Sequence, residues 1–93
     1  MIKGFRDRDS EDVFRRRAAK RFGADLQRAA LRKLLQIDAA TRLETLAVPP
    51  GNRLEPLKDD RHGQHSIRVN DQWRVCFVWR DGDAYEVELV DYH

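Results

Sequence analysis

The stretch Val90-Asp91-Tyr92-His93 sets a carboxylate, a phenol and an imidazole in succession after a strand-like run. All three side chains have acid–base or stacking capacity. Histidine is the one whose ordinary pKa suits proton transfer near neutrality. The same stretch also reads as an exposed strand end, the part of a chain that usually frays. Residue types alone do not choose between a site and a strand end.

Other chemistries find less support. His62 and His65 lie three apart, with no cysteine partner and no third histidine nearby, so they read as exposed polar residues and no metal is expected. Gly23, Gly51, Gly63 and Gly82 are isolated turn glycines, not a phosphate-cradling loop. Cys76 sits between Val75 and Phe77 in a strand, where an inert buried thiol is expected. Ser66 lies in a strand and Ser10 suits a helix cap, so no serine nucleophile is expected. No cofactor motif is present.

Size and composition bound the scaffold. The 93 residues suit one domain spanning 1–93, because two separate cores would each be too small. The chain is 41% hydrophobic and 37% charged, the profile of a folded chain with a dense charged surface. No run approaches the ~20 apolar residues of a membrane span. Met1 to Arg6 holds no apolar core of a secretory signal, and the single cysteine suits a reducing compartment. Net charge is +2, but residues 1–47 hold 12 basic and 7 acidic side chains, against 6 and 9 in residues 48–93. The basic half reads as a helix face laced with ion pairs or as a surface for an anionic partner, and composition favours the first.

The patterning predicts the order β-α-α-α-β-β-β-β, an α+β chain with helices on one face of a mainly antiparallel sheet. Ile2 to Phe5 suits a short strand. Asp9 or Ser10 is expected to cap a first helix through Phe14, whose far end carries Arg15, Arg16, Arg17, Lys20 and Arg21. Asp25 opens a second helix, with Leu26, Ala30, Leu31, Leu34 and Leu35 at helical spacing. Asp38 is expected to cap a third helix ending near Leu46, before the break at Val48-Pro49-Pro50-Gly51-Asn52. Strands are expected at 54–57, 66–70, 73–79 and 84–90, with a three-residue turn at Asp81-Gly82-Asp83.

That turn would set Phe77 opposite Val87, Val75 opposite Leu89 and Arg74 opposite Val90. Pairing Val69 with Val75 and Ile67 with Phe77 completes the sheet. One face is then apolar and covered. The other carries Arg68, Asn70, Arg74, Glu88 and Tyr92, on strands rigid enough to hold a site. Trp73 and Trp79 share the parity of the core residues. An Arg74–Glu88 ion pair is a simple structural use for that arginine.

The segments Arg53-Leu54-Glu55-Pro56-Leu57-Lys58-Asp59-Asp60-Arg61, Ser66 to Asn70, Gln72 to Trp79 and Asp91-Tyr92-His93 together resemble the HigB toxins. These belong to the RelE-like superfamily of bacterial toxin–antitoxin systems. The resemblance extends over essentially the whole chain.

It implies a compact α+β toxin fold and a metal-free, cytoplasmic, ribosome-dependent mRNA interferase acting in the ribosomal A site. By match to the family, His93 transfers protons, Arg74 contacts the scissile phosphate and Lys58 meets RNA phosphate. Tyr92 stacks or positions, and Asp91 orients a neighbour. Arg68 rests on the register and on similarity to closer members; Arg61 and Asn70 join it as RNA-binding candidates. Glu55 stands where some members carry a histidine, which shifts the weight of proton transfer to His93. The implied partners are a HigA-like antitoxin, the ribosome with its mRNA, and operator DNA through the antitoxin complex alone. The related ParE toxins bind DNA gyrase and cut no RNA, so fold does not settle activity. The combination of Arg74 with Asp91-Tyr92-His93 is what separates the two readings.

Overall fold

Ala30, Leu34 and Ile37 recur at helical spacing between Gly23 and Ala40. In the computed structural model, which describes residues 1–92, they are the fully buried stripe of α2 (Ala24–Ala39). Leu35, expected on that stripe, turns outward and is 40% exposed. The preceding helix, α1 (Arg8–Phe14), is capped by Asp7 and not by Asp9 or Ser10. Asp7 is extended and its Oδ1 accepts the Ser10 N–H at 2.7 Å. The Ser10 side chain is thereby left for a distant bond. It is buried, and its hydroxyl accepts the Leu89 N–H at 2.9 Å.

The arginine run does not end a helix. α1 stops at Phe14, and the run lies in residues 15–23, which form the connection to α2. Several of these cations fold back onto acids of α1: Arg15 Nε lies 2.8 Å from Glu11, Arg17 Nε 2.9 Å from Asp12 and Arg21 Nη1 3.4 Å from Asp9. The expected third helix is also absent among the described residues. Asp38 lies in the last turn of α2, where its carboxylate accepts the Ile2 N–H at 2.8 Å. Beyond it come single 3₁₀ turns at Leu43–Ala47 and Pro50–Asn52, the second started by the proline that ends any helix.

The sheet has four strands in the order β1 (Glu55–Pro56), β2 (His65–Arg68), β3 (Trp73–Arg80) and β4 (Asp83–Asp91), each antiparallel to its neighbour. Residues 1–6 run parallel to the outer edge of β4, bridging Ile2 to Ala84 and Phe5 to Val87. Together with the Ser10 hydroxyl they cover an edge that would otherwise invite pairing with another chain.

Two turns differ from expectation. Asp81 and Gly82 both have positive φ, 54° and 82°, so a two-residue turn pairs Arg80 with Asp83. This is the geometry an Asp-Gly pair favours. It shifts the register by one residue, and a bulge corrects it. Glu86 and Val87 together face Phe77, with Glu86 left-handed at φ 51°. Beyond the bulge Val75 opposes Leu89 and Arg74 opposes Val90, as expected. Between β2 and β3 the observed pairs are Ile67–Val75 and Arg68–Arg74, a slip of two from the expected register. Asn70 tightens that loop, its side-chain Oδ1 accepting the N–H groups of Gln72 at 2.9 Å and Trp73 at 2.8 Å.

A slip of two preserves side-chain parity. Ile67, Val75, Phe77, Ala84, Val87 and Leu89 therefore face the helices and are buried against Ala30, Leu34 and Ile37. Trp73 and Trp79 pack at the margin of that core.

Candidate active site

The face of the sheet away from the helices carries Ser66 and Arg68 from β2, Arg74 and Cys76 from β3, and Glu88 and Val90 from β4. Its lower end opens into a cavity of about 290 Å³ lined by Arg53, Arg68, Asn70, Asp71, Arg74 and Tyr92. The structure thus brings together Arg68, Asn70, Arg74 and Tyr92.

Arg74 is the fixed point of this cavity. Its side chain is only 11% exposed. Nε donates to the Ser66 hydroxyl at 2.8 Å, and Nη2 donates to the Arg53 carbonyl at 2.6 Å and the Ser66 carbonyl at 3.4 Å. Among the described residues the carboxylate beside it is that of Glu55, 3.7 Å from Nη2. These acceptors hold the guanidinium plane, and Nη1 makes no bond to a described residue, which leaves its donors for a ligand. Tyr92 places its ring 5.8 Å from the guanidinium carbon. Its own N–H donates to the Gln72 carbonyl at 2.7 Å, tying the end of β4 to the β2–β3 loop.

Glu88 does not pair with Arg74. It meets Arg61 at 3.2 Å and Arg6 at 3.9 Å, because it stands opposite Cys76, further along the sheet. Arg61 also donates to Gln64 and does not line the cavity. Lys58 is exposed in the β1–β2 connection, likewise away from the lining. Asp91 accepts from Gln72 Nε2 at 3.0 Å. Arg68 forms an ion pair with the exposed Asp71. His93 lies outside the described residues.

Three residues of this site are not legible as such in the sequence, Asp71 among them, which reads only as a loop residue. Ser66 reads there only as a strand residue, although its parity with Arg68 and Arg74 places it on their face. Arg53 follows a double proline, where no periodicity indicates a direction.

The remaining reactive groups are structural. Cys76 is fully buried, and burial raises the pKa of its thiol. No group of three potential metal ligands occurs among the described residues. No helix among them is long and apolar enough to cross a membrane. His65 is not the exposed residue expected. It lies in β2 with its ring 6.4 Å from that of Phe77, and its Nδ1 is buried without a partner among the described residues.

Burial lowers the His65 pKa, so the fold favours the neutral ring. The unfolded chain then binds the proton more readily. Stability from this residue is present above the ordinary histidine pKa of ~6.5 and is lost as pH falls below it. Urea midpoints should therefore decline from pH 8 to pH 5, and decline less in His65→Gln. An equal decline in the variant would remove His65 as a cause.

The chain matches the family model described as the RelE-like toxin of the type II toxin–antitoxin system HigB over residues 3–93. It is 44% identical to Toxin HigB-1 of Vibrio cholerae over 66 residues, covering 71% of this chain and 70% of that protein. It is 35% identical to Endoribonuclease HigB of Proteus vulgaris over the full length of both. Among solved structures the fold is similar to a chain of the YoeB–YefM complex from Staphylococcus aureus, with TM-score 0.63, 15% identity and coverage of 100% and 98%. It is also similar to a mutant of YafQ from E. coli, with TM-score 0.61, 18% identity and coverage of 98% and 93%. On the match over residues 3–93 and the full-length relative, this chain belongs to the HigB family of RelE-like toxins of type II toxin–antitoxin systems.

Proposed function

We propose that this chain is a toxin endoribonuclease that cuts translated mRNA in the ribosomal A site. The observation that carries the reading is Arg74, held by Ser66 and Arg53 at an arginine-lined cavity with Tyr92 beside it. In the reaction a ribose 2′ oxygen attacks the adjacent phosphorus and loses its proton. The bond from phosphorus to the 5′ oxygen breaks, and that oxygen takes a proton. The products are a 2′,3′-cyclic phosphate and a 5′ hydroxyl. Charge builds on the non-bridging oxygens, where a preorganised guanidinium is most effective.

Arg74 fills that role, and Arg68 adds positive potential beside it. Tyr92, 41% exposed, offers a ring to a base or ribose. His93, by family match, transfers the protons. Lys58 and Arg61 meet RNA phosphates outside the cavity. Asp91 keeps the end of β4 in place through Gln72, and Asn70 shapes the loop below Arg68. A HigA-like antitoxin neutralises the toxin in the cytoplasm, and operator DNA is reached only through that complex.

The test is a defined mRNA incubated with the protein, with and without programmed ribosomes, and cuts mapped by primer extension. Cuts are expected only with ribosomes. No cuts in either condition, from protein that still arrests growth, would move the reading to a protein-binding toxin of the ParE kind.

A further inference from the structure

Three arginines line the cavity, and two of them face carboxylates. Arg68 pairs with Asp71, and Arg74 lies 3.7 Å from Glu55. The Arg53 side chain makes no ion pair or hydrogen bond to a described residue. Arg53 is also an unexpected residue for its place. Its backbone is left-handed, with φ 46° and ψ 54°, a conformation that glycine adopts freely and a residue with a Cβ does not.

What holds it there is the residue before it. Asn52 is fully buried. Its Oδ1 accepts from Lys33 Nζ at 2.6 Å, and its Nδ2 donates to Gln36 Oε1 at 2.9 Å and to the Leu46 carbonyl at 3.1 Å. Its own N–H donates to the Pro49 carbonyl at 3.0 Å. The turn is thereby fastened to α2, and the next carbonyl, that of Arg53, meets Arg74. Every one of these bonds uses Asn52 or the backbone of residue 53. None uses the Arg53 side chain.

We infer that Arg53 is a substrate-binding residue of this cavity, its guanidinium taking the RNA phosphate next to the one held by Arg74. The inference rests on the endoribonuclease reading above. A guanidinium without a carboxylate partner gains charge-assisted hydrogen bonds to a phosphate and gives up no ion pair in doing so. It makes the substrate a strand that continues past the scissile bond, with at least two phosphates engaged.

The decisive variant is Arg53→Gly, which removes the guanidinium, keeps the carbonyl that Arg74 uses and suits the left-handed backbone. Its melting temperature should equal or exceed that of the parent protein. On programmed ribosomes the toxin concentration for half-maximal cleavage should rise about tenfold, with little change in the limiting rate. The difference should shrink at higher salt. Arg53→Lys should recover part of it, since lysine keeps the charge without the fork.

A glycine variant with the parent half-maximal concentration overturns the inference and leaves the endoribonuclease reading standing. So does a glycine variant that melts lower, because the side chain would then be holding the turn. A parent protein that cuts no RNA, free or ribosome-bound, overturns both.

Discussion

Arg74→Ala should lower single-turnover cleavage about 10³-fold, equivalent to about 4 kcal/mol of transition-state stabilisation. The size follows from where the guanidinium sits. At 11% exposure it acts in a medium that screens charge poorly, and its plane is set before substrate arrives. Ser66 Oγ and the Arg53 carbonyl take Nε and Nη2, so no reorganisation is needed when charge builds on phosphorus. Arg74→Lys should fare little better. An ammonium is a point charge on a flexible stem and cannot satisfy both acceptors while presenting a fork. Circular dichroism must accompany the rates, because alanine leaves the buried Ser66 hydroxyl without its donor. A folded alanine variant that cuts at the parent rate would remove Arg74 from the chemistry. Ser66→Ala gives the complementary case. It keeps the charge but loosens the plane, so its loss should fall well short of that in Arg74→Ala.

The site face is legible in the sequence for a reason that tolerates error. Side chains on a strand alternate with period two, so an even slip changes partners but not faces. The β2–β3 register differs from the expected one by two residues, yet Arg68 and Arg74 still share a face and pair directly. The β3–β4 case is less forgiving. The two-residue turn at Asp81-Gly82 shifts the register by one, which alone would have exchanged the faces. Asp-Gly is a recognisable signal for that turn. The compensating bulge at Glu86 is not, because nothing about a glutamate announces a left-handed backbone. The expected pairs of Val75 and Arg74 therefore hold through two deviations that cancel.

The helices and the cavity floor show the opposite limit. Asp38, Asp9 and Ser10 all suit helix starts by type, but type does not say which acceptor reaches which donor. Asp7 takes the cap, and Ser10 and Asp38 are left to bond Leu89 and Ile2, contacts distant in sequence. Arg53 is invisible for the same reason. Its position depends on Asn52 being fastened to Lys33 and Gln36 of α2, and helix-to-loop bonds of this kind carry no local pattern.

Removing His93 should lower cleavage by about 10²- to 10⁴-fold while leaving antitoxin binding and melting temperature unchanged. The reason is chemical. Arg74 supplies charge, but a guanidinium is too weak an acid to serve as a proton-transfer group. Cys76 is buried with a raised pKa, and His65 faces the core on the far side of the sheet. Neither can serve the cavity that Arg68, Arg74 and Tyr92 line. The His93 imidazole is the proton-transfer group proposed above, so its loss should be felt in the rate. A structural role would lower melting temperature or antitoxin affinity, so those two measurements separate the cases. A substrate with sulfur in place of the leaving 5′ oxygen then assigns the direction of transfer. A thiolate leaves without being protonated, so it restores the variant if His93 is the acid and does not if His93 takes the 2′ proton. Undiminished cleavage of the ordinary substrate without His93 would move proton transfer to another group and leave Arg74 as the centre of the site.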